Sequence, residues 1–253
     1  MLAYYKNLFE LSLRMAIVEF KVSVGETRLG IFWHLVGPAG MFLVIYGIFS
    51  RRLGADIPEY PLYLVFGIII FRFFQNIISS SVSAVSVKRS VIKSINFPRP
   101  ALVLSTVLKI IFFHAFDVLV IFLILAWFGH PLILMVWYPL VVGLVALFAF
   151  GAGLFVASVQ IYIPDVQNIW RFVHRALWFA TPIFYTVGDQ GWLETFNHFN
   201  PLYYYIELAR TTIVYAQRPS GSLLGGAVLF GAMMLVIGWL TFKKLEKKFA
   251  EFL

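Results

Sequence analysis

Three ionisable residues stand inside long apolar stretches of this chain: Arg72, Lys109 and Asp117. Charge at membrane depth marks an ion or substrate pathway, or a pair that locks two helices. Arg72 lies ten residues into its stretch, roughly 15 Å deep at about 1.5 Å per helical residue. Leaving it alone in lipid costs roughly 2.5–3.5 kcal/mol on insertion scales. It is therefore expected either to pair with Asp117 or to face a hydrated path, and a pair serves as lock or relay alike. Lys109 is nearer an end and can snorkel to the interface.

A second cluster is the stretch SVKRSVIKSINFPRP at 86–100, which holds four Lys and Arg residues and no acid. Val87, Val91 and Ile95 are four apart and share one face of a short helix, while Arg89 and Lys93 share another. Pro98 and Pro100 stop that helix and push Phe97 and Arg99 toward extended backbone. The expected product is a small stiff element tied to the apolar stretches on both sides.

Other chemistry is missing from the sequence. No G-x-x-x-x-G-K-[ST] occurs, so ATP has no P-loop here. No HExxH occurs, the five histidines are dispersed, and cysteine is absent, which excludes disulfides and Cys-based zinc sites. No metal and no cofactor are expected in this chain. No Ser/His/Asp grouping stands out, and Asp189 with Glu194 is the nearest approach to a carboxylate pair on the outer loops. A membrane-embedded enzyme using scattered residues is the reading that competes from another class.

The elements that position these groups follow from composition. Of 253 residues, 61% are hydrophobic and 13% charged, against roughly 25% charged in a soluble domain. Apolar runs near the length that crosses a ~30 Å hydrocarbon core recur along the chain. An all-α membrane protein is expected, a single transmembrane domain with six spans at about Phe32–Phe49, Leu62–Ser81, Ala101–Leu125, Val136–Gln160, Ile169–Val187 and Leu223–Phe242. The N-terminal segment lacks the apolar core and small-residue site of a signal peptide. Residues 1–30 instead suit a helix in the membrane interface. Leu8, Leu11, Met15, Val18 and Val22 make one apolar stripe, opposite Lys6, Glu10, Arg14 and Lys21. Residues 188–222 are rather apolar and suit outer-interface or re-entrant helices, with a turn at Gly188 to Gly191 and a helix start at Asn200-Pro201.

Charge sets the orientation. The N-terminal segment, the 86–100 loop, the fourth connection (Arg171, Arg175) and the tail carry fourteen Lys and Arg residues. The opposite loops carry four: Arg51, Arg52, Arg210 and Arg218. Basic loops stay inside, so both termini are expected in the cytoplasm. The same rule accounts for the net charge of +8 without nucleic acid.

Four stretches together resemble ABC type-2 permeases that export cell-surface polysaccharides. Leu29-Gly30-Ile31-Phe32-Trp33 followed by Pro38 is similar to the LGxxWxxxxP signature of that family. Val91-Ile92-Lys93 with Phe97-Pro98-Arg99 is similar to LIxK…FPR. Ile163-Pro164-Asp165-Val166, then Thr181-Pro182-Ile183-Phe184-Tyr185, resembles FRDV…TPIxY, with Pro164 where the family often has arginine. Asp165 is retained and is expected to cap the next helix. Asn200-Pro201-Leu202 with Arg210 resembles the NPL…R element.

The resemblance implies a bacterial plasma (inner) membrane location and a homodimer whose subunits form the translocation path. It implies two copies of a separate P-loop ATPase that binds ATP and Mg. The substrate would be a lipid-linked O-antigen, capsule or teichoic-acid chain, moving among membrane lipids. It implies ATPase coupling through Lys88, Arg89, Val91, Ile92, Lys93, Phe97, Pro98 and Arg99, with Pro164 and Asp165 as a smaller contact. Trp33, Phe71, Arg72, Phe74, Trp178, Phe179 and Tyr185 would line the path, where aromatic rings suit the C–H faces of sugars. Asn200, Pro201, Tyr203 and Arg210 would form the outer gate. A permease of the same fold that moves a drug or a lipid is the nearest alternative, and a membrane enzyme on lipid-linked sugars the more distant one.

Overall fold

The computed structural model describes residues 2–25, 32–89, 92, 97–187 and 191–252. Among these residues every regular element is helical. The order is α1 (Leu2–Gly25), α2 (Phe32–Phe49), α3 (Tyr60–Ser83), α4 (Ala101–Trp127), a 3-10 stretch (Leu132–Trp137) running into α5 (Tyr138–Gln160), and α6 (Val166–Ala180). Then come α7 (Gly191–His198), α8 (Pro201–Ala209) with a π-helical turn (Arg210–Val214), and α9 (Gly221–Leu245) with a short helical tail. Among the described residues, four helical stretches are long and apolar enough to cross a membrane: Tyr60–Ser83, Ala101–Trp127, Leu132–Gln160 and Gly221–Lys248.

The central helix is α3. It packs against α2, α4, α5, α6 and α8, so nearly every one of its apolar residues is buried, from Leu62 to Val82. The longest shared surface joins α5 and α9. Glycine makes that crossing close: a Cβ at Gly238 would fall 1.9 Å from the Gly151 carbonyl oxygen. Small residues let two backbones approach this way, and dispersion along the seam then holds them.

Two helices depart from expectation. The expected stretch 169–187 is helical only to Ala180, within a helix of 15 residues. Pro182 disfavours the α region for the residue before it, and Thr181 is extended (φ −86°, ψ 134°). On α1, Leu8, Ser12 and Ala16 are buried while Val18 and Val22 are exposed, so the apolar stripe and the packed face diverge. The cause is Glu19, which two lysines of the bundle draw inward: Lys109 at 3.5 Å and Lys88 in a closer contact. Ser12 is accommodated on that face because its hydroxyl donates to the Leu8 carbonyl at 2.6 Å.

Candidate functional site

Midway along α3, Arg72 reaches the wall of a cavity of about 410 Å3 between α1, α2, α3 and α4. Gly37 on α2 makes room for it, since a Cβ there would lie 2.7 Å from Arg72 Nη2. Asp117 lines the same cavity but does not pair with Arg72. Its Oδ2 lies 3.1 Å from His114 Nδ1, one turn away on α4. His114 Nε2 in turn meets the Tyr138 hydroxyl at 2.9 Å, and its ring stacks on Phe73. Of the two expected arrangements, the Arg72–Asp117 pair is not formed: Asp117 joins a local His–Asp–Tyr network tying α4 to α5, and Arg72 faces a polar cavity. Lys109 points to Glu19 rather than snorkelling freely.

Arg72 also borders a second cavity of about 270 Å3, with Met41, Gln75, His174, Arg175, Trp178 and Phe179. Trp178 is half-buried and meets Phe71 edge-on, 5.0 Å between centroids. Phe179 is exposed, and Tyr185 donates to its carbonyl at 2.6 Å. Phe71 and Phe74 are core residues, 0% and 5% exposed. Phe74 packs on Phe148 and Trp170. The reason is that the face of α3 carrying them is covered by α5 and α6, while its open side carries Arg72, Asn76 and Ser79. The side chain of Trp33 lies outside the described residues.

The end of the bundle away from the lysines is built around Arg210, which is fully buried. Its Nε and Nη2 donate to the Tyr63 carbonyl at 3.2 and 3.1 Å, Nη1 donates to Pro182 O at 2.8 Å, and Nη2 also donates to Ile183 O at 2.8 Å. Its guanidinium lies over the Tyr63 ring. A planar fork with five donors suits several carbonyls at once, and lysine could not reproduce it. The same Thr181–Tyr185 strap is held by Tyr60, which donates to Phe184 O at 3.0 Å, and by Tyr63, which donates to Tyr185 O at 2.7 Å. Asn200 Nδ2 donates to Thr181 Oγ1 at 2.8 Å, and Asn200 Oδ1 accepts from the Leu202 amide at 3.1 Å. Asn200 is therefore the N-cap expected of it, with Pro201 in the first turn. Tyr203 stands apart, lining a cavity with His198, Glu207 and Gln217. Sequence reasoning missed Tyr60, Tyr63 and Thr181; the Pro182 break and the tyrosines opening α3 were the available signals.

At the basic end, the 86–100 loop is tied to other elements. Lys88 meets Glu19 of α1, and Arg99 donates to the Glu246 carbonyl beyond α9. Ile92 is buried with Ala84, Val85 and Phe249, and Phe97 packs at the edge of that cluster. Arg89 is exposed, Pro98 and Arg99 half-buried. Val91, Lys93 and Ile95 lie outside the described residues. Nearby, the Tyr162 hydroxyl donates to Leu245 O at 2.9 Å. Pro164 and Asp165 are exposed. Asp165 occupies the N-cap position of α6, but its side chain caps nothing; its carboxylate instead accepts a long 3.5 Å contact from Asn168 Nδ2.

The bundle is thus braced at both ends, with two cavities bordering one internal arginine. Residues 13–214 match the family of ABC-2 type transporters. The chain belongs to that family. Membership in the ABC-2 family and four apolar helical stretches of crossing length make it a multi-pass membrane protein. Among ABC-2 relatives, the O-antigen export system permease protein RfbA of Klebsiella pneumoniae is 25% identical over 258 residues, covering 97% of this chain and 96% of the relative. The polysialic acid transport protein KpsM of Escherichia coli is 23% identical, covering 90% and 91%. RfbA of Myxococcus xanthus is 22% identical, covering 92% and 91%.

Proposed function

We propose that this chain is the membrane subunit of an ATP-driven exporter of a lipid-linked polysaccharide, of the O-antigen, capsule or teichoic-acid kind. The observation that carries this reading is kinship along nearly the full length with permeases named for O-antigen export and polysialic acid transport. With no P-loop of its own, the chain takes its energy from two copies of a cytoplasmic ATPase that hold ATP and Mg.

In this reading the bundle has six spans in the bacterial inner membrane. The four long apolar stretches are joined by α2 and by α6 continued through the extended strap at Thr181–Tyr185. Both termini are cytoplasmic, and α1 lies in the inner interface. Two copies form the path. Arg72, Trp178, Phe179 and Tyr185 border the path, together with Trp33. The loop from Lys88 to Arg99 seats in the ATPase, with Pro164 and Asp165 beside it. The Arg210 clamp and Asn200-Pro201 set the outer gate, with Tyr203 at its rim.

The test is deletion in the source bacterium. Surface polysaccharide should disappear and lipid-linked glycan should accumulate inside, and the intact chain should restore export. An unchanged surface with altered drug sensitivity would transfer the assignment to the drug or lipid permease class.

A further inference from the structure

Toward the basic end of the bundle, α1 and α9 leave a groove of about 510 Å3. Tyr5 and Leu8 of α1, Phe150 of α5, and Leu235, Trp239 and Leu240 of α9 line it. Its outer side is open: Tyr5 is 50% and Leu240 63% exposed. A second cavity, of about 570 Å3, lies one helical turn further along α9. Arg99, Lys243 and Lys247 line this one, with Tyr4, Phe97 and the acid Glu246. The two meet at Tyr4, Trp239 and Lys243. Tyr4 touches Tyr5 edge-on, 5.5 Å between centroids, and Lys243 Nζ lies 5.2 Å from the Tyr4 ring and 5.4 Å from the Trp239 ring.

The basic cavity keeps donors in hand. Lys243 neutralises Glu246 at 2.8 Å and donates to the Tyr4 hydroxyl at 3.0 Å, which leaves the Tyr4 proton to donate onward. Arg99 gives Nη1 to the Glu246 carbonyl, one of its five donors. Lys247 is exposed. From Lys243 to Phe252 the chain has four lysines against two glutamates, so the local field is positive.

An apolar groove that ends in cations suits an acyl chain joined to an anionic head. Trp and Tyr at the join favour the level of lipid headgroups, and basic pockets between spanning helices attract anionic heads. A neutral lipid would leave the cations unused, and a soluble anion would leave the groove unused. From Leu235 to Lys243 the helix rises only about 12 Å, so one molecule engages both.

We propose that the groove and the basic cavity form one site for an anionic glycerophospholipid, with an acyl chain between α1 and α9 and the phosphate between Arg99, Lys243 and Lys247. The site shares no residue with the cavities beside Arg72. It goes beyond the export reading and takes from it only the cytoplasmic side of the basic end. The lipid bridges α1, the loop before α4 and the end of α9, and so braces the 86–100 segment.

The experiment is native mass spectrometry of the purified full-length protein in neutral detergent. Dioleoylphosphatidylglycerol, dioleoylphosphatidylcholine and glycerol 1-phosphate are titrated separately and in competition. Saturable binding of phosphatidylglycerol is expected, about tenfold or more tighter than that of phosphatidylcholine. K243Q and K247Q should each weaken it about fivefold, the worth of one cation near a lipid surface. K243Q also loses the Tyr4 and Glu246 contacts, so K247Q carries the charge test if K243Q does not fold. V236W should weaken binding without altering any charge, because Val236 also lines the groove. R218Q, which removes a charge before the opposite end of α9, should leave it unchanged. Phosphatidylglycerol should raise the melting midpoint of the wild type more than that of K247Q.

Equal affinity for the two lipids would overturn the anionic head. Wild-type affinity in both K247Q and V236W, or no saturable binding, would overturn the site. Displacement of phosphatidylglycerol by glycerol 1-phosphate would overturn the part played by the groove. A monomer in V236W where the wild type is a dimer would give this face to a second copy of the chain and overturn the lipid assignment. Loss of export on deletion of the gene is read independently, so the site and the export reading fail separately.

Discussion

Arg210 and Tyr63 are joined twice: the guanidinium carbon lies 3.3 Å over the Tyr63 ring, and two of its nitrogens donate to the Tyr63 carbonyl at 3.1 and 3.2 Å. The same guanidinium holds Pro182 and Ile183. One side chain thereby fixes the start of α3, the extended strap after α6 and the π-helical turn after α8 in one block. Arg210→Lys should lower the stability of the purified protein by about 3 kcal/mol, since buried carbonyls lose their donors at roughly 1–3 kcal/mol each. The check is the denaturation midpoint in detergent, where an unchanged value would mean that the clamp contributes nothing.

The Gly151–Gly238 crossing gives a packing prediction. Gly238→Ala places a methyl group 1.9 Å from a backbone oxygen, so α5 and α9 must separate, at about 1–3 kcal/mol. Gly47→Ala, with nothing within 4 Å of the new Cβ, should be neutral or slightly stabilising, because alanine is the better helix former by about 1 kcal/mol. Thermal melts of the two variants side by side decide it.

Charge reversal separates a real pair from a neighbourhood. Lys88 and Glu19 are in contact, so K88E and E19K should each lower the yield of folded protein, and the double reversal should recover most of it. Arg72 and Asp117 share a cavity without pairing, so R72D combined with D117R should remain as poor as the worse single variant. Size-exclusion profiles of the six proteins provide the readout. Recovery by the second double variant would show that the two charges do interact.

The His114–Tyr138 contact predicts a modest, specific effect. Tyr138→Phe removes the 2.9 Å bond while keeping the ring against Phe66. The expected loss is about 1 kcal/mol, measured by denaturant unfolding. His114→Ala should cost more, because it also removes the stacking on Phe73 and leaves Asp117 without its partner.

Sequence made the axial plan legible. Phe32–Phe49 is a helix with the expected bounds, and four other apolar stretches agree to within a few residues at their ends. Asn200-Pro201 starts α8 as its chemistry requires. These are local properties, fixed by run length, caps and proline. Contacts between distant segments were not legible. Nothing in the spacing tells whether Arg72 turns toward Asp117 or toward Gly37, because that depends on the rotation of α2, α3 and α4 about their axes. For the same reason Phe71 and Phe74 read as path residues, although the central place of α3 makes them core. Asp165 held the right position for a cap but not the backbone that brings its carboxylate to a free amide: its φ and ψ are already helical, −66° and −13°.

The most direct test of the export assignment is a gentle-detergent pull-down of the tagged chain from native membranes, analysed by mass spectrometry. A variant with Arg89 and Lys93 changed to glutamate, which leaves the Lys88–Glu19 and Arg99–Glu246 contacts in place, is run beside it. The expected result is a P-loop ATPase near one-to-one with the wild type, lost from the variant while the variant remains a folded dimer. Absence of any such ATPase under every gentle condition would contradict the assignment, and would turn attention to Arg72 and Asp117 as parts of a carrier with another source of energy.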